Sequence, residues 1–431
     1  MPALPRLAAN AASSHVRPTG RTLRVSPAAG PSAGLGRARR PEGKAVARPA
    51  ARRSRAALGN NAKSTAAAGQ DAAPESRRAE RYRARAWLST VRTRTSQRRW
   101  KACGKTSVAE GGTVGLKLTG ADGGKHAAGF SGLATCGSVW ACPVCSAKIA
   151  RRRTEEIEHL LAWNAARGGS VALATFTMRH HTGHKLKALR KALSRAWAHI
   201  TQSRAWKETR KREGCDGYVR AIECTTGENG WHLHAHVLLI FDGPVTQEFI
   251  DEWTADLYEL WAAGLRKSGM EASRRHGVDL RLGTGALDGL GKYLSKLTYE
   301  AAGGRFKKGR KGGRTPFELL DDALNTGLAD DMDRWFEWEN GSKGMQQLVW
   351  SDHLKDRAGV KEIKDEEIAE ADDLDGGTIL VIDPRSWHKV YWEAAELLDA
   401  AEQGGCPAAM AWMDSRGYTY ETTLRYEVLA E

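Results

Sequence analysis

Nowhere does the sequence hold an apolar run of the roughly 20 residues that a bilayer crossing requires, so no transmembrane span is expected. Aromatic residues make up only 7% of the 431 positions, and cysteine is scarce, seven in all. Seven is odd, four of the cysteines fall between residues 103 and 145, and no hydrophobic signal segment precedes them. That pattern argues against a secreted disulfide framework and for thiols kept reduced in the cytoplasm. Acidic residues are nearly missing from the first hundred positions, which hold 22 Lys and Arg against 4 Asp and Glu. The net charge of +15 therefore originates in the N-terminal arm. Residues 351–431 hold 8 basic and 19 acidic side chains, net −11, which leaves +8 for residues 101–350. Residues 1–95 lack the β-branched and aromatic clusters needed to offset ordering entropy. They are expected to form a disordered basic arm that attracts phosphate without sequence preference.

What the chain does contain begins with histidine at alternate positions. His232, His234 and His236 run into the apolar stretch Val237–Ile240, a pattern that predicts a strand with all three imidazoles on one face. A second strand is expected over Tyr218–Thr225, joined to the first by the turn Gly227–Gly230. If that turn closes symmetrically, Thr226 pairs with Trp231 and Glu223 lies opposite His234. The carboxylate then shares the imidazole face and completes a nitrogen and oxygen site suited to Mg2+ or Mn2+ on a phosphate, or to a first-row transition metal. A slip of one residue would send Glu223 to the other face. The plainer reading is a set of half-buried histidines on an edge strand.

Cys142-Pro-Val-Cys145 has the spacing with which two thiolates grip one tetrahedral Zn2+, and Cys136 and Cys103 can complete the site, with His126 as a substitute ligand. A redox pair is the alternative. An amphipathic helix is expected over Ala147–Trp163, where Arg151, Arg152 and Arg153 are either a solvated face or a phosphate clamp. Ser170–Thr177 predicts a strand, Lys185–Arg212 a helix, and Gln247–Gly264 a helix whose aromatic stripe is packing. Val278–Leu282 predicts a short strand, followed by a helix over Ala286–Glu300 that carries Tyr293 and, one turn on, Lys296. That pair offers a nucleophile beside a cation. Next, Arg305, Lys307, Lys308, Arg310 and Lys311 lie in a Gly-rich loop suited to a DNA backbone. Further helices are expected over Phe317–Leu324 and Asp330–Asn340, a strand over Gln347–Trp350, an acidic linker over Lys361–Asp375, and a small C-terminal αβ unit.

In this order the pieces resemble the rolling-circle replication initiators of bacterial plasmids, members of the HUH endonuclease superfamily, and the composition resembles a high-GC actinobacterial replicon. The resemblance rests on Cys103, the Cys136–Cys145 knuckle, Ala174–Thr177, Glu223, His234-Ala-His236 and Gly291-Lys-Tyr-Leu-Ser-Lys296, over roughly residues 98–300. It implies an α+β fold with an HUH-type central antiparallel sheet flanked by helices. The expected partition is a disordered arm (1–95), a cysteine-rich zinc-binding-like module (96–150), a catalytic domain (151–302), a basic loop with a helical extension (303–350) and an acidic linker with the C-terminal unit (351–431). The resemblance further implies nicking and joining of single-stranded or hairpin origin DNA. His234, His236 and a carboxylate hold the metal, with His232 in reserve; Tyr293 forms a 5′-phosphotyrosine, Lys296 steadies charge, and a host helicase and DNA polymerase follow. Related members often carry a Glu one turn before the Tyr, where this chain has Gly289, which leaves termination open between Asp288, Tyr299 and another carboxylate. The rival readings are an HUH transposase or relaxase and a non-enzymatic zinc-containing DNA-binding regulator.

Overall fold

Two antiparallel sheets organise the chain in its computed structural model, which describes residues 74–92, 98–119, 127–283, 313–371 and 376–423. The described residues lie within one folded unit, Ala68–Glu431. In chain order they form α1 (Pro74–Val91), α2 (Arg98–Ala102), β1 (Val114–Thr119), β2 (Ala127–Ser131), α3 (Pro143–Ala166), β3 (Val171–Thr177), α4 (Leu186–Gln202) and α5 (Arg204–Arg212). Then come β4 (Cys215–Gly227), β5 (Gly230–Phe241), α6 (Gln247–Arg266), β6 (Val278–Leu282), α7 (Pro316–Thr326), α8 (Ala329–Gly341) and β7 (Leu348–Trp350). The described chain closes with α9 (Leu354–Arg357), α10 (Asp365–Glu370), β8 (Gly377–Ile382), α11 (Pro384–Ser415) and β9 (Tyr420–Thr422). Helices flanking antiparallel sheets make this the α+β class that the resemblance implies. No described helix is long and apolar enough to cross a membrane.

The larger sheet has the order β6-β3-β5-β4-β7, with the histidine strand β5 at its centre. Central placement follows from composition, because β5 is apolar on both faces over most of its length. Leu233, Ala235, Val237 and Leu239 pack with Leu189, Leu193, Trp253 and Leu257 of α4 and α6, while Leu238 and Ile240 join Ile157, Leu160 and Leu161 of α3. Each fully buried Leu or Ile contributes roughly 1.5–3 kcal/mol. Strand alternation puts the imidazoles on the α3-covered face, at the opposite end of β5 from Leu238 and Ile240. The aromatic stripe of α6 is packing: Trp253 and Trp261 are buried, and Trp253 stacks on Trp206 and Phe249.

Four expectations change. The helix over 185–212 is divided at Ser203, whose hydroxyl accepts from Trp206 N and starts α5. The acidic segment 361–375 contains α10, docked on α3: Arg153 donates to Asp365 and to the Ile363 carbonyl, and Lys148 to the Ala369 carbonyl. Arg153 is buried and also paired with Glu156, so it is no phosphate clamp, and Arg152 pairs with Glu155.

The fourth concerns residues 74–91, which composition assigns to the disordered arm and which form α1. Arg78, Arg85 and Arg92 recur every seven residues and so fall on one helix face. There Arg78 pairs with Glu402, and Arg92 with Glu339, while Ala84 and Leu88 enter the main core. Composition counts those arginines as solvated charge; their spacing turns them inward. Beside α1 lies the smaller sheet, ordered β2-β1-β8-β9 and backed by α11. Its strands come from 114–131 and 377–422, so the hairpin after Cys103 and the C-terminal unit fold as one.

Candidate metal centres

The β4–β5 hairpin sets the first centre. Gly227 pairs with Gly230, Thr226 with Trp231 and Glu223 with His234, the register expected from a symmetric turn. Gly230 sits at φ +81, a conformation that glycine reaches without penalty, and a Cβ there would press on Thr182. Glu223 Oε2 lies 2.9 Å from His234 Nε2 and 3.0 Å from His236 Nε2. An ionised carboxylate only accepts, so each imidazole donates to it. Burial alone would raise the Glu223 carboxyl, but the hydrogen bonds from His234 and His236 outweigh it and hold the group well below the usual carboxylate range. The ligand atoms of these three residues all lie within 4.8 Å of one another. One oxygen about 3 Å from each of two nitrogens matches neighbouring positions around one ion with bonds of about 2.1 Å, so the residues fit a divalent metal.

The supports of this trio come from β3. Thr175 pairs with His236 across the ladder, and its Oγ1 lies 3.1 Å from His236 Nδ1. A hydroxyl can donate or accept, so it holds the ring whichever nitrogen carries the proton. His232 stands apart from the trio and meets His180 instead, with His180 Nε2 and His232 Nδ1 separated by 2.6 Å. His180 Nδ1 lies 3.0 Å from the Asn229 carbonyl, which can only accept. The partners therefore assign a proton to His180 Nδ1 and another to His232 Nδ1, leaving His232 Nε2 with its lone pair. Burial, followed by the neighbouring His234 and His180, pushes the His232 pKa down to about 4. The sequence marks Thr175 only as part of Ala174–Thr177 and does not single out His180. A Thr alternating with the buried residues of a strand, and a His-His pair just beyond its end, are the signals that could have found them.

The second centre gathers Cys103, Cys136, Cys142 and Cys145, all buried and none in a disulfide. Cys103 Sγ is 3.7 Å from Cys142 Sγ and 3.5 Å from Cys145 Sγ, and Cys136 Sγ is 3.7 Å from Cys145 Sγ. Four sulfurs on a tetrahedral Zn2+ with bonds of about 2.3 Å stand about 3.8 Å apart, so this set fits the ion. Cys142 caps the N-terminus of α3, where the helix dipole favours a thiolate. Hydrogen bonds from the other three cysteines hold its pKa well below the ordinary thiol value. Trp140 lies between Cys136 and Cys142, meets Trp338 with ring centres 5.4 Å apart, and Trp338 meets Trp231, beside His232, at 5.9 Å. The cysteine knuckle thus packs through three indoles onto the start of the histidine strand.

Tyr293, Lys296, Arg305, Lys307, Lys308, Arg310 and Lys311 lie outside the described residues, as do His126, Asp288, Gly289 and Tyr299. Both flanks of residues 284–312 are described. Gly283 N donates to the Val171 carbonyl at the start of β3, and Arg314 forms a two-way backbone pair with Thr226 at the hairpin tip. The Arg314 side chain is engaged by Asp322 and Asp331.

Residues 132–268, which include the knuckle cysteines and the whole β4–β5 hairpin, match the family described as "Replication protein". "Protein rep" of Streptomyces lividans is 30% identical over 338 residues, which are 62% of this chain and 74% of that protein. "Neomycin resistance protein" of Streptomyces cyanogenus is 30% identical over 188 residues, 36% of this chain and 43% of that protein. No solved structure matches the chain. The chain belongs to the replication-protein (Rep) family, of the actinobacterial type.

Proposed function

We propose that this protein is a site-specific endonuclease that nicks and rejoins single-stranded DNA to initiate rolling-circle replication of a plasmid, on an HUH-type sheet. The observation that carries the reading is the Glu223–His234–His236 trio on the adjacent strands β4 and β5, with ligand atoms within 4.8 Å. These residues hold Mg2+ or Mn2+, with His232 in reserve; when bound, the ion polarises the scissile phosphate as a Lewis acid. The Tyr293 hydroxyl oxygen attacks the phosphorus and the bond to the 3′ oxygen breaks. The products are a 5′-phosphotyrosine and a 3′-OH that primes a host DNA polymerase. Lys296, one helical turn from Tyr293 in the expected helix, neutralises phosphate charge. Arg305, Lys307, Lys308, Arg310 and Lys311 hold the strand by its phosphates, in a segment whose two flanks are fastened to the sheet that carries the trio. A host helicase supplies further single strand in the cytoplasm, and Zn2+ on the four cysteines keeps the knuckle folded.

The test is to incubate the full chain with Mn2+ and 3′-labelled single-stranded DNA from the replicon that carries the gene. A covalent protein–DNA adduct is expected, absent in Tyr293→Phe and in His234→Ala. An adduct that survives Tyr293→Phe would reassign the nucleophile. DNA binding without cleavage under any metal would instead make the chain a non-enzymatic regulator.

A further inference from the structure

Arg85 is a buried cation that the nicking chemistry leaves unused. It lies on α1 midway between Arg78 and Arg92, and unlike them it reaches no carboxylate among the described residues. It is 5% exposed, and its Nε and Nη2 atoms have no hydrogen-bond partner among the described residues. The guanidinium carbon is 4.5 Å from the centre of the Tyr82 ring and 5.5 Å from that of Tyr391 on α11. The head group rests against Gly104, next to Cys103, where any Cβ would overlap it and where φ is +67. A bulkier residue at 104 would wedge Arg85 away from the cysteines.

A guanidinium removed from water without a counter-charge is strongly unfavourable, and two ring faces offset only part of that. The groups facing it are Tyr82, Tyr391, Cys103 and Cys142. Four thiolates on one divalent ion carry a net charge of −2, which sets a full anion beside Arg85.

We propose that Arg85 is the counter-ion of a tetrathiolate metal centre at Cys103, Cys136, Cys142 and Cys145, and that together they form a metal-dependent clasp. With the metal bound, Arg85 fastens α1 to the knuckle, and its contacts with Tyr391, whose hydroxyl donates to the Arg85 carbonyl at 3.4 Å, bring in α11. Loss of the metal lowers the negative charge facing Arg85 and frees α1 and the first half of α11, while the β4–β5 hairpin stays folded.

Co2+ is a suitable probe because its visible spectrum reports four-thiolate tetrahedral ligation, and competition with a chromogenic chelator gives the affinity. The full chain is expected to bind one such ion, Arg85→Met to bind it about 10- to 100-fold more weakly, and Arg85→Lys, which keeps the charge, to fall between. An unchanged affinity in Arg85→Met, or Arg85→Lys as weak as Arg85→Met, would overturn the counter-ion role. A second measurement needs no variant: hydrogen exchange of the wild-type chain before and after chelation. Protection is expected to drop in residues 82–91 and 387–398 and to persist in β5. Undiminished protection of α1 in the metal-free chain would sink the clasp, as would a wild-type chain that binds no ion through its thiols.

Discussion

Glu223 stands directly across the β4–β5 ladder from His234, and one of its oxygens lies 2.9 Å from His234 Nε2 and 3.0 Å from His236 Nε2. A single carboxylate oxygen thus satisfies two imidazoles that β-alternation has already placed on one face. The hairpin builds the cluster from two adjacent strands, so its geometry is as rigid as the sheet.

Replacing that carboxylate separates metal binding from packing. Glu223→Gln is expected to weaken Mn2+ binding at least about tenfold, since an amide is a neutral ligand. In the metal-free chain it is expected to cost about 1–3 kcal/mol, because a buried imidazole N–H loses its charged acceptor. Calorimetric titration and urea unfolding measure the two effects; an unchanged Mn2+ affinity would remove Glu223 from the centre.

The turn is the next point of leverage. Gly230→Ala places a side chain at φ +81 and presses its Cβ to 3.0 Å from Thr182 Cα. A loss of about 1–3 kcal/mol is expected from the backbone strain alone. The same change disturbs the loop that carries His180, so Mn2+ affinity is expected to fall with stability. A fully stable variant would show that the loop yields.

Arg92 and Glu339 form an ion pair that is 1% and 0% exposed and that ties α1 to α8. Arg92→Met, which takes the guanidinium away from a buried carboxylate, is expected to cost about 3–5 kcal/mol. The double variant Arg92→Met, Glu339→Leu is expected to recover much of that loss. A thermal-denaturation double-mutant cycle with no coupling would contradict the arrangement.

The pH dependence follows from His232. Its native pKa is pushed down to about 4, first by burial and then by His234 and His180, whereas an unfolded histidine titrates near 6.5. Between those values the unfolded chain binds the extra proton. Stability is therefore expected to rise with pH from about 4 to about 6.5 and to level off above, by at most about 3 kcal/mol from this residue. Unfolding by urea across that range in the presence of chelator measures the slope, and His232→Gln should remove its share. A wild-type curve that falls with pH in this window would reverse the assignment.

Much of the first centre was legible because it obeys local rules. Alternation puts His232, His234 and His236 on one face, and a tight turn of known length carries the register to Glu223. The C-x2-C spacing and two further cysteines point to the second centre in the same way. The contacts of Thr175 and His180 were not legible, since β3 reaches β5 only by pairing across some 60 intervening residues. His232, equivalent to its neighbours in the sequence, is set apart by that same contact.

The N-terminal region shows the division most sharply. An Ala- and Arg-rich composition speaks for a solvated arm, and nothing local to residues 74–91 supplies the anions that their arginines meet. Those anions are Glu402, for Arg78, and Glu339, for the adjoining Arg92. The sequence by itself determined the patterns that short-range geometry enforces: strand alternation, turn register, ligand spacing and the seven-residue repeat of arginine. Only the tertiary structure decided what meets each pattern, because a charge becomes an anchor only when a distant segment brings a counter-charge and excludes water.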